Sequence, residues 1–130
     1  MADANAVPAA PSVTNEAKPF WDAASEGKLL IQKCNACGEA YFHPRPFCPF
    51  CLSADTSWFT AAGTGTIYSY TVTARAPVFK VPAFIALDEG PVIMSAIVDT
   101  DPDAVSVGQR VTVTFVPTAD GPPLPAFRLQ

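Results

Sequence analysis

One hundred and thirty residues, 49% of them hydrophobic and 15% charged, are enough for one cored domain and too few for two full-sized ones. That composition excludes a disordered chain. A formal charge of −4 supplies no basic field for phosphate backbones, which sets nucleic acid aside as a partner.

The opening, "MADANAVPAAPSVTNEA", has no lysine or arginine before Lys18 and no apolar run, so neither a secretory signal nor a transit peptide is expected. No segment approaches a membrane span, and the expected location is the cytoplasm. Thiols stay reduced there, so clustered cysteines signal metal or redox chemistry rather than disulfides. Residues 1–14, mostly Ala, Pro and small polar groups with little to bury, read as a disordered leader.

A short helix is expected over 15–27, with Glu16 early, Pro19 in its first turns, Phe20, Ala23 and Ala24 as its apolar set and Gly27 as its stop. Phe20 and Trp21 are more aromatic surface than such a helix hides by itself. They either cap this chain's own ribbon or barrel, or insert into a partner subunit.

The segment "KLLIQK", residues 28–33, predicts a strand that leads into "CNACGEAYFHPRPFCPFC", residues 34–51, which holds all four cysteines as two Cys-x-x-Cys pairs ten residues apart. Each pair lets two thiolates reach one ion from a tight turn, and two such turns complete the tetrahedral shell of zinc. Cys34, Cys37, Cys48 and Cys51 are therefore the expected ligands of one structural zinc ion per chain, in a ribbon spanning 28–56. A shell filled by protein leaves no position for water, so the ion is not a catalyst. Four thiolates outweigh a divalent cation, and the knuckle amides with Lys33 and Arg45 are the expected counterweight. Two rivals use the same cysteines. The knuckles resemble those of rubredoxin, an iron electron carrier, although Leu52 follows the second pair where rubredoxin has glycine. Dithiol catalysis would need a thioredoxin-like βαβ setting that this sequence does not offer.

Beyond Cys51 the text turns to strands, and residues 57–130 are expected to form a barrel. Tyr68, Tyr70 and Val72 alternate with polar residues in "GTIYSYTVT". "AFIAL" and "VIMSAIV" flank the turn "DEGP", "RVTVTFV" alternates, and a short "AFRL" follows. In "DPDAVSVG", Asp101 caps a helical turn, Pro102 begins it and Gly108 stops it. Five strands with a turn of helix between the third and fourth fit a Greek-key barrel of the OB type, with a meander sandwich as the alternative. The expected chain is thus mostly β: a short N-terminal helix, a rubredoxin-like zinc ribbon, then a five-stranded OB-type barrel.

A catalytic set is not found. His43, the lone histidine, sits beside Pro44 in the loop between knuckles and reads as loop packing; Asp88 and Glu89 read as turn residues. Gly63 and Gly65 read as the bend of the first barrel strand.

The order "PFWDAASEGKLLIQKCNACGEAYFHPRPFCPFC", "GTGTIYSYTV", "LDEGPVIMSAIVD", "VGQRVTVTF" and "PAFRL" resembles the zinc-ribbon plus OB-fold proteins that accompany thiolase-superfamily enzymes in acyl-CoA metabolism. The likeness runs from about Lys18 to Arg128, with one departure: the segment before "LDEG" is shorter than is usual in the family. It implies a non-catalytic accessory subunit of a hetero-oligomer, docked on a thiolase, a thiolase-like aldolase or an acyltransferase, in some cases with a MaoC-type hydratase, and helping to shape the acyl-CoA site. It also implies that Cys34, Cys37, Cys48 and Cys51 occupy the family's ligand positions. Phe20, Trp21, Tyr41 and Phe42 are the candidates for docking, and Arg75, Lys80 and Arg110 for contact with acyl-CoA, each of the three also reading as a solvated surface residue. The competing functions are a single-stranded nucleic-acid module, stacking bases on Tyr68 and Tyr70, and a rubredoxin-like iron carrier.

Overall fold

A computed structural model describes residues 7–130. The helix α1 runs Lys18–Ser25, shorter at both ends than expected, with Pro19 in its first turn. Glu16 lies before it. Its C-terminus closes as a Schellman motif: Gly27 takes φ +77°, its N–H donates to Ala24 O, and Lys28 N–H donates to Ala23 O. Phe20, Ala23 and Ala24 face inward.

Three short strands make the ribbon sheet: β1 (Leu30–Cys34), β2 (Ala40–Tyr41) and β3 (Thr56–Thr60), in the order β2-β1-β3 and all antiparallel. The strand "TSWFT" pairs along the whole of β1 and continues the ribbon sheet to Thr60.

The remaining strands are β4 (Thr64–Tyr70), β5 (Pro82–Leu87), β6 (Val92–Ala96), β7 (Arg110–Thr118) and β8 (Gly121–Leu129), in the order β6-β5-β4-β7-β8. The end of β6 returns to β8 through a parallel bridge, Ile97 to Phe127, with Val98 N–H donating to Phe127 O at 2.8 Å. A sheet that curls until its first and last strands touch at one end is an OB half-barrel, and the sandwich alternative falls away. The strand before "LDEG" pairs with β6 without a break, while its pairing with β4 shifts at a bulge between Ile67 and Ser69.

Three further expectations are corrected. The last strand is nine residues and not "AFRL" alone, since the turn at Ala119 and Asp120, the latter at φ +57°, starts it at Gly121. Asp101 accepts from Asp103 N–H and caps a single 3-10 turn, Pro102–Ala104, but Gly108 lies well past its end and turns the chain into β7 instead. The leader is not loose throughout: Pro8 O accepts from Ala119 N–H, Ala9 bridges Ala119, and Thr14 accepts the Ala17 N–H ahead of the helix. Residues 1–6 of that expected leader lie outside the described residues.

One core serves helix, ribbon and barrel. Phe20, Leu29 and Ile31 pack in a single cluster with Ile67, Ile85, Val111 and Phe127. The junction between ribbon and barrel is fixed by close approach: Gly63 takes φ +80° with Val113 beneath it, and its carbonyl accepts Val113 N–H at 2.7 Å.

Candidate metal centre

The two knuckles are copies of each other. Gly38 N–H donates to Cys34 O at 2.9 Å and Leu52 N–H to Cys48 O at 3.0 Å; Cys34 N–H donates to Glu39 O and Cys48 N–H to Ser53 O, both at 2.9 Å. Each turn ends in the left-handed region, Gly38 at φ +81° and Leu52 at φ +67°. Leucine adopts the conformation that glycine adopts freely, and it does so with its side chain 76% exposed.

This pairing brings together all four predicted ligands. Their sulfurs lie within 4.8 Å of one another, with Cys34 to Cys51 at 3.5 Å and Cys37 to Cys48 at 3.7 Å. A tetrahedron with zinc–sulfur bonds of about 2.3 Å has edges of about 3.8 Å, so the residues fit the ion. Cys34 and Cys48 are buried, Cys37 and Cys51 face outward. The expected amides are in place: Cys37 N–H points at the Cys34 sulfur at 3.4 Å and Phe50 N–H at the Cys48 sulfur at 3.3 Å. Neither the Lys33 nor the Arg45 side chain bonds a sulfur, so the backbone carries that role.

Crowding the sulfurs separates their proton affinities. The Cys37 backbone N–H, against the cost of burial, holds the Cys34 thiol down to about 7. Cys37 is pushed up to about 12, the help of the Glu39 backbone being outweighed by burial and the neighbouring sulfurs. A divalent ion held by these four sulfurs would have to displace the protons that the crowding retains.

Behind the knuckles, the loop 42–47 is held by a residue the sequence did not single out. Gln32, the one buried polar side chain among the described residues, donates from Nε2 to Arg45 O at 2.9 Å and accepts Arg45 N–H at Oε1 at 2.7 Å. Tyr41 lies buried beside it, its hydroxyl 3.4 Å from the same carbonyl. No local pattern announces this clasp, because its partner is a backbone group thirteen residues away.

The docking candidates divide. Phe20 and Tyr41 are buried in this chain's own core and offer no surface. Trp21 and Phe42 are half-buried against Phe20, with Phe20 to Trp21 edge-on at 4.8 Å and Phe20 to Phe42 at 5.4 Å between ring centroids. The exposed aromatics of the ribbon are Phe47 and Phe50 instead.

Nor do the three basic candidates converge. Arg110 is engaged by both oxygens of Asp88, at 2.7 and 2.8 Å, and Thr64 donates to the same carboxylate. These contacts, the guanidinium first, hold the Asp88 carboxyl well below the usual carboxylate range. Lys80 lies at the other end of β4 and β5, where its ammonium closes the 71–80 loop on Ala74 O and Ala76 O. Arg75 is exposed on that loop. Glu89, read as a turn residue, reaches back to the junction and accepts Ala62 N–H at 2.9 Å.

Family models match both parts of the chain: a rubredoxin-like zinc ribbon domain of ChsH2 over residues 21–57, and a C-terminal OB-fold domain of ChsH2 over 58–116. The chain belongs to the ChsH2 (DUF35) family. A DUF35 domain-containing scaffold protein of Methanothermobacter thermautotrophicus is 36% identical over 94 residues, covering 67% of this chain and 71% of that protein. A protein of Thermomonospora curvata described as "Probable enoyl-CoA hydratase alpha subunit" is 36% identical over 120 residues, 88% of this chain; the chain spans only 38% of that protein's length. Among solved structures, a chain of an "Ltp2-ChsH2(DUF35) aldolase" superposes with a TM-score of 0.81 at 33% identity, covering 92% of this chain and 98% of that one. Among the described residues, no helix is long and apolar enough to cross a membrane.

Proposed function

We propose that this ChsH2-family chain is a non-catalytic subunit of an acyl-CoA-processing complex, docked on a thiolase-like enzyme. The observation that carries this reading is the likeness, over 92% of this chain and 98% of that one, to a chain of an "Ltp2-ChsH2(DUF35) aldolase". The metal chemistry is consistent with it. Four sulfurs close the shell of a structural zinc ion, so the centre stiffens a surface and leaves the reaction to a partner. A stiff surface loses little conformational freedom on binding, which suits a scaffold.

Within that complex Trp21 and Phe42, the two docking candidates with exposed surface, contact the partner. Arg75 meets the anionic part of acyl-CoA, since Lys80 and Arg110 are already engaged by this chain's own carbonyls and carboxylate. The hydratase relative favours a second partner of MaoC type, because its longer chain carries this region on a protein named as a hydratase subunit.

The test is co-expression with thiolase-superfamily proteins encoded in the same genome, followed by purification through this chain. The expected result is a stable hetero-oligomer with about one zinc per copy of this chain, in which acyl-CoA turnover needs both subunits. Turnover of acyl-CoA by the isolated chain would overturn the reading. A coloured protein that bleaches with dithionite would replace it with the iron carrier.

A further inference from the structure

Two short sulfur contacts in the metal centre run between the knuckles and not within them. Cys34 lies 3.5 Å from Cys51 and Cys37 lies 3.7 Å from Cys48. The two turns are equivalent, Cys34 matching Cys48 and Cys37 matching Cys51, so these are the same contact made twice. Each contact joins an unlike pair. Cys34 and Cys48 are buried while Cys37 and Cys51 are exposed, so in both pairs one cysteine is open to solvent and its neighbour lies behind it. The buried sulfurs are also fixed in position, Cys34 by the Cys37 N–H at 3.4 Å and Cys48 by the Phe50 N–H at 3.3 Å.

Metal binding requires cysteine as thiolate, and the thiolate is the form that oxidants attack. Among thiolates, those that solvent reaches react first, and a second sulfur in contact converts the first oxidation product into a disulfide. Exposure selects Cys37 and Cys51 for the first step here. Contact then selects Cys48 and Cys34 for the second.

We propose that the four cysteines are an oxidative modification site for small hydroperoxides, closing as two disulfides across the knuckles, Cys34 with Cys51 and Cys37 with Cys48, as zinc leaves. With hydrogen peroxide, the outer thiolate of a pair attacks one peroxide oxygen; a sulfur–oxygen bond forms, the oxygen–oxygen bond breaks and hydroxide departs. The buried thiolate then attacks the oxidised sulfur, the disulfide forms and a second hydroxide departs. Two thiolates are oxidised and one peroxide is reduced per disulfide, and solvent protonates both hydroxides. A disulfide sulfur is no longer a thiolate ligand, so completion of both pairs releases the ion. Bonds within each Cys-x-x-Cys turn would leave the knuckles unjoined, whereas bonds between them replace the ion as a staple. The ribbon thereby outlasts its metal. This inference rests on the four-sulfur ligand set and on no particular partner.

The test adds hydrogen peroxide to the full-length zinc-loaded chain beside a colorimetric zinc chelator, then alkylates free thiols and maps the disulfides without reduction. Zinc per chain, measured before peroxide is added, checks the ligand set separately. Chymotryptic cleavage after Phe47 and Phe50 puts Cys48 and Cys51 on different peptides, and fragmentation between Cys34 and Cys37 assigns their partners. Peroxide should speed zinc release about tenfold or more over chelator alone and yield Cys34–Cys51 and Cys37–Cys48. Amide exchange at Ile31 in the oxidised, metal-free chain should be about tenfold slower than in the reduced chain stripped by chelator. Dithiothreitol with added zinc should restore the loaded form. Disulfides within the turns, sulfinic acid on Cys37 or Cys51 in place of a disulfide, or zinc retained under peroxide would each overturn the proposal. Equal exchange at Ile31 in the oxidised and stripped chains would overturn it as well.

Discussion

Replacing Cys48 by serine is the perturbation that tests the metal centre and the shared core together. The Cys48 sulfur is fully buried, 3.7 Å from Cys37, and it receives the Phe50 N–H. A serine hydroxyl is neither a thiolate nor long enough to reach the ion. Structural zinc contributes about 10–16 kcal/mol in small metal domains, against about 5–15 kcal/mol for the whole stability of an ordinary domain. Losing it exceeds what the ribbon's three short strands can replace. The damage should not stop at the ribbon, because Phe20, Leu29 and Ile31 are buried in one cluster with barrel residues. At about 1.5–3 kcal/mol for each large apolar side chain, undocking these three withdraws roughly 5–9 kcal/mol from the barrel. The assay is zinc stoichiometry together with amide exchange at Ile85 and Val111 in the barrel core. The expected result is loss of zinc and faster exchange at both positions. Stoichiometric zinc in the variant would refute the ligand assignment, and wild-type exchange at Ile85 and Val111 in a zinc-free variant would refute the single core.

Three other outcomes follow from particular contacts. A Cβ on Gly65 would stand 2.6 Å from Ala86 O and 2.9 Å from Ile85 Cγ2, so Gly65→Ala should cost about 1–2 kcal/mol in urea unfolding, the overpacking being offset in part by a stiffer unfolded chain. Leu52→Gly should be more stable than Leu52→Ala by about 0.5–1 kcal/mol, since both remove a mostly exposed side chain and only glycine relaxes at φ +67°; thermal unfolding of the two variants checks it. The Asp88 carboxyl is held low in the folded chain, first by Arg110 and then by Thr64, so its contribution is present above the ordinary carboxylate pKa of about 4 and fades as pH falls below it. The stability gap between wild type and Asp88→Asn should accordingly be constant from neutral pH down to about 5 and close towards about pH 2, as read from urea midpoints.

The metal centre was legible because four cysteines at fixed spacing admit few other uses, and the strands β4 to β7 were legible because their side chains alternate or form short apolar runs between turn residues. The long last strand was hidden by its prolines. "GPPLP" argues against a strand wherever both sides must bond, and here Pro123 and Pro125 face the side that does not. Strand β3 was missed because "TSWFT" is short and its pairing partner lies far back in the chain. The aromatic residues were the least legible. Tyr41 and Phe47 belong to one loop region and look alike as text, yet Tyr41 follows the pairing of β2 with β1 into the core while Phe47 stays in solvent. Helix length was overestimated because Glu16 imitates an early helical position, whereas the chain enters through a separate turn closed by Thr14.

The clasp of Gln32 on Arg45 has a consequence for the loop it holds. A primary amide carries the same donor and acceptor pair as a peptide unit, so the side chain of Gln32 substitutes for one residue of a neighbouring strand. The loop is thereby anchored at a single rung without adopting extended geometry along its length. Pro44 and Pro46, which a regular strand at that place would reject, can flank the anchored residue on both sides. Gln32→Glu keeps the size and the acceptor but forfeits the donor, so the segment between the two knuckles would swing on its prolines while the metal stayed in place.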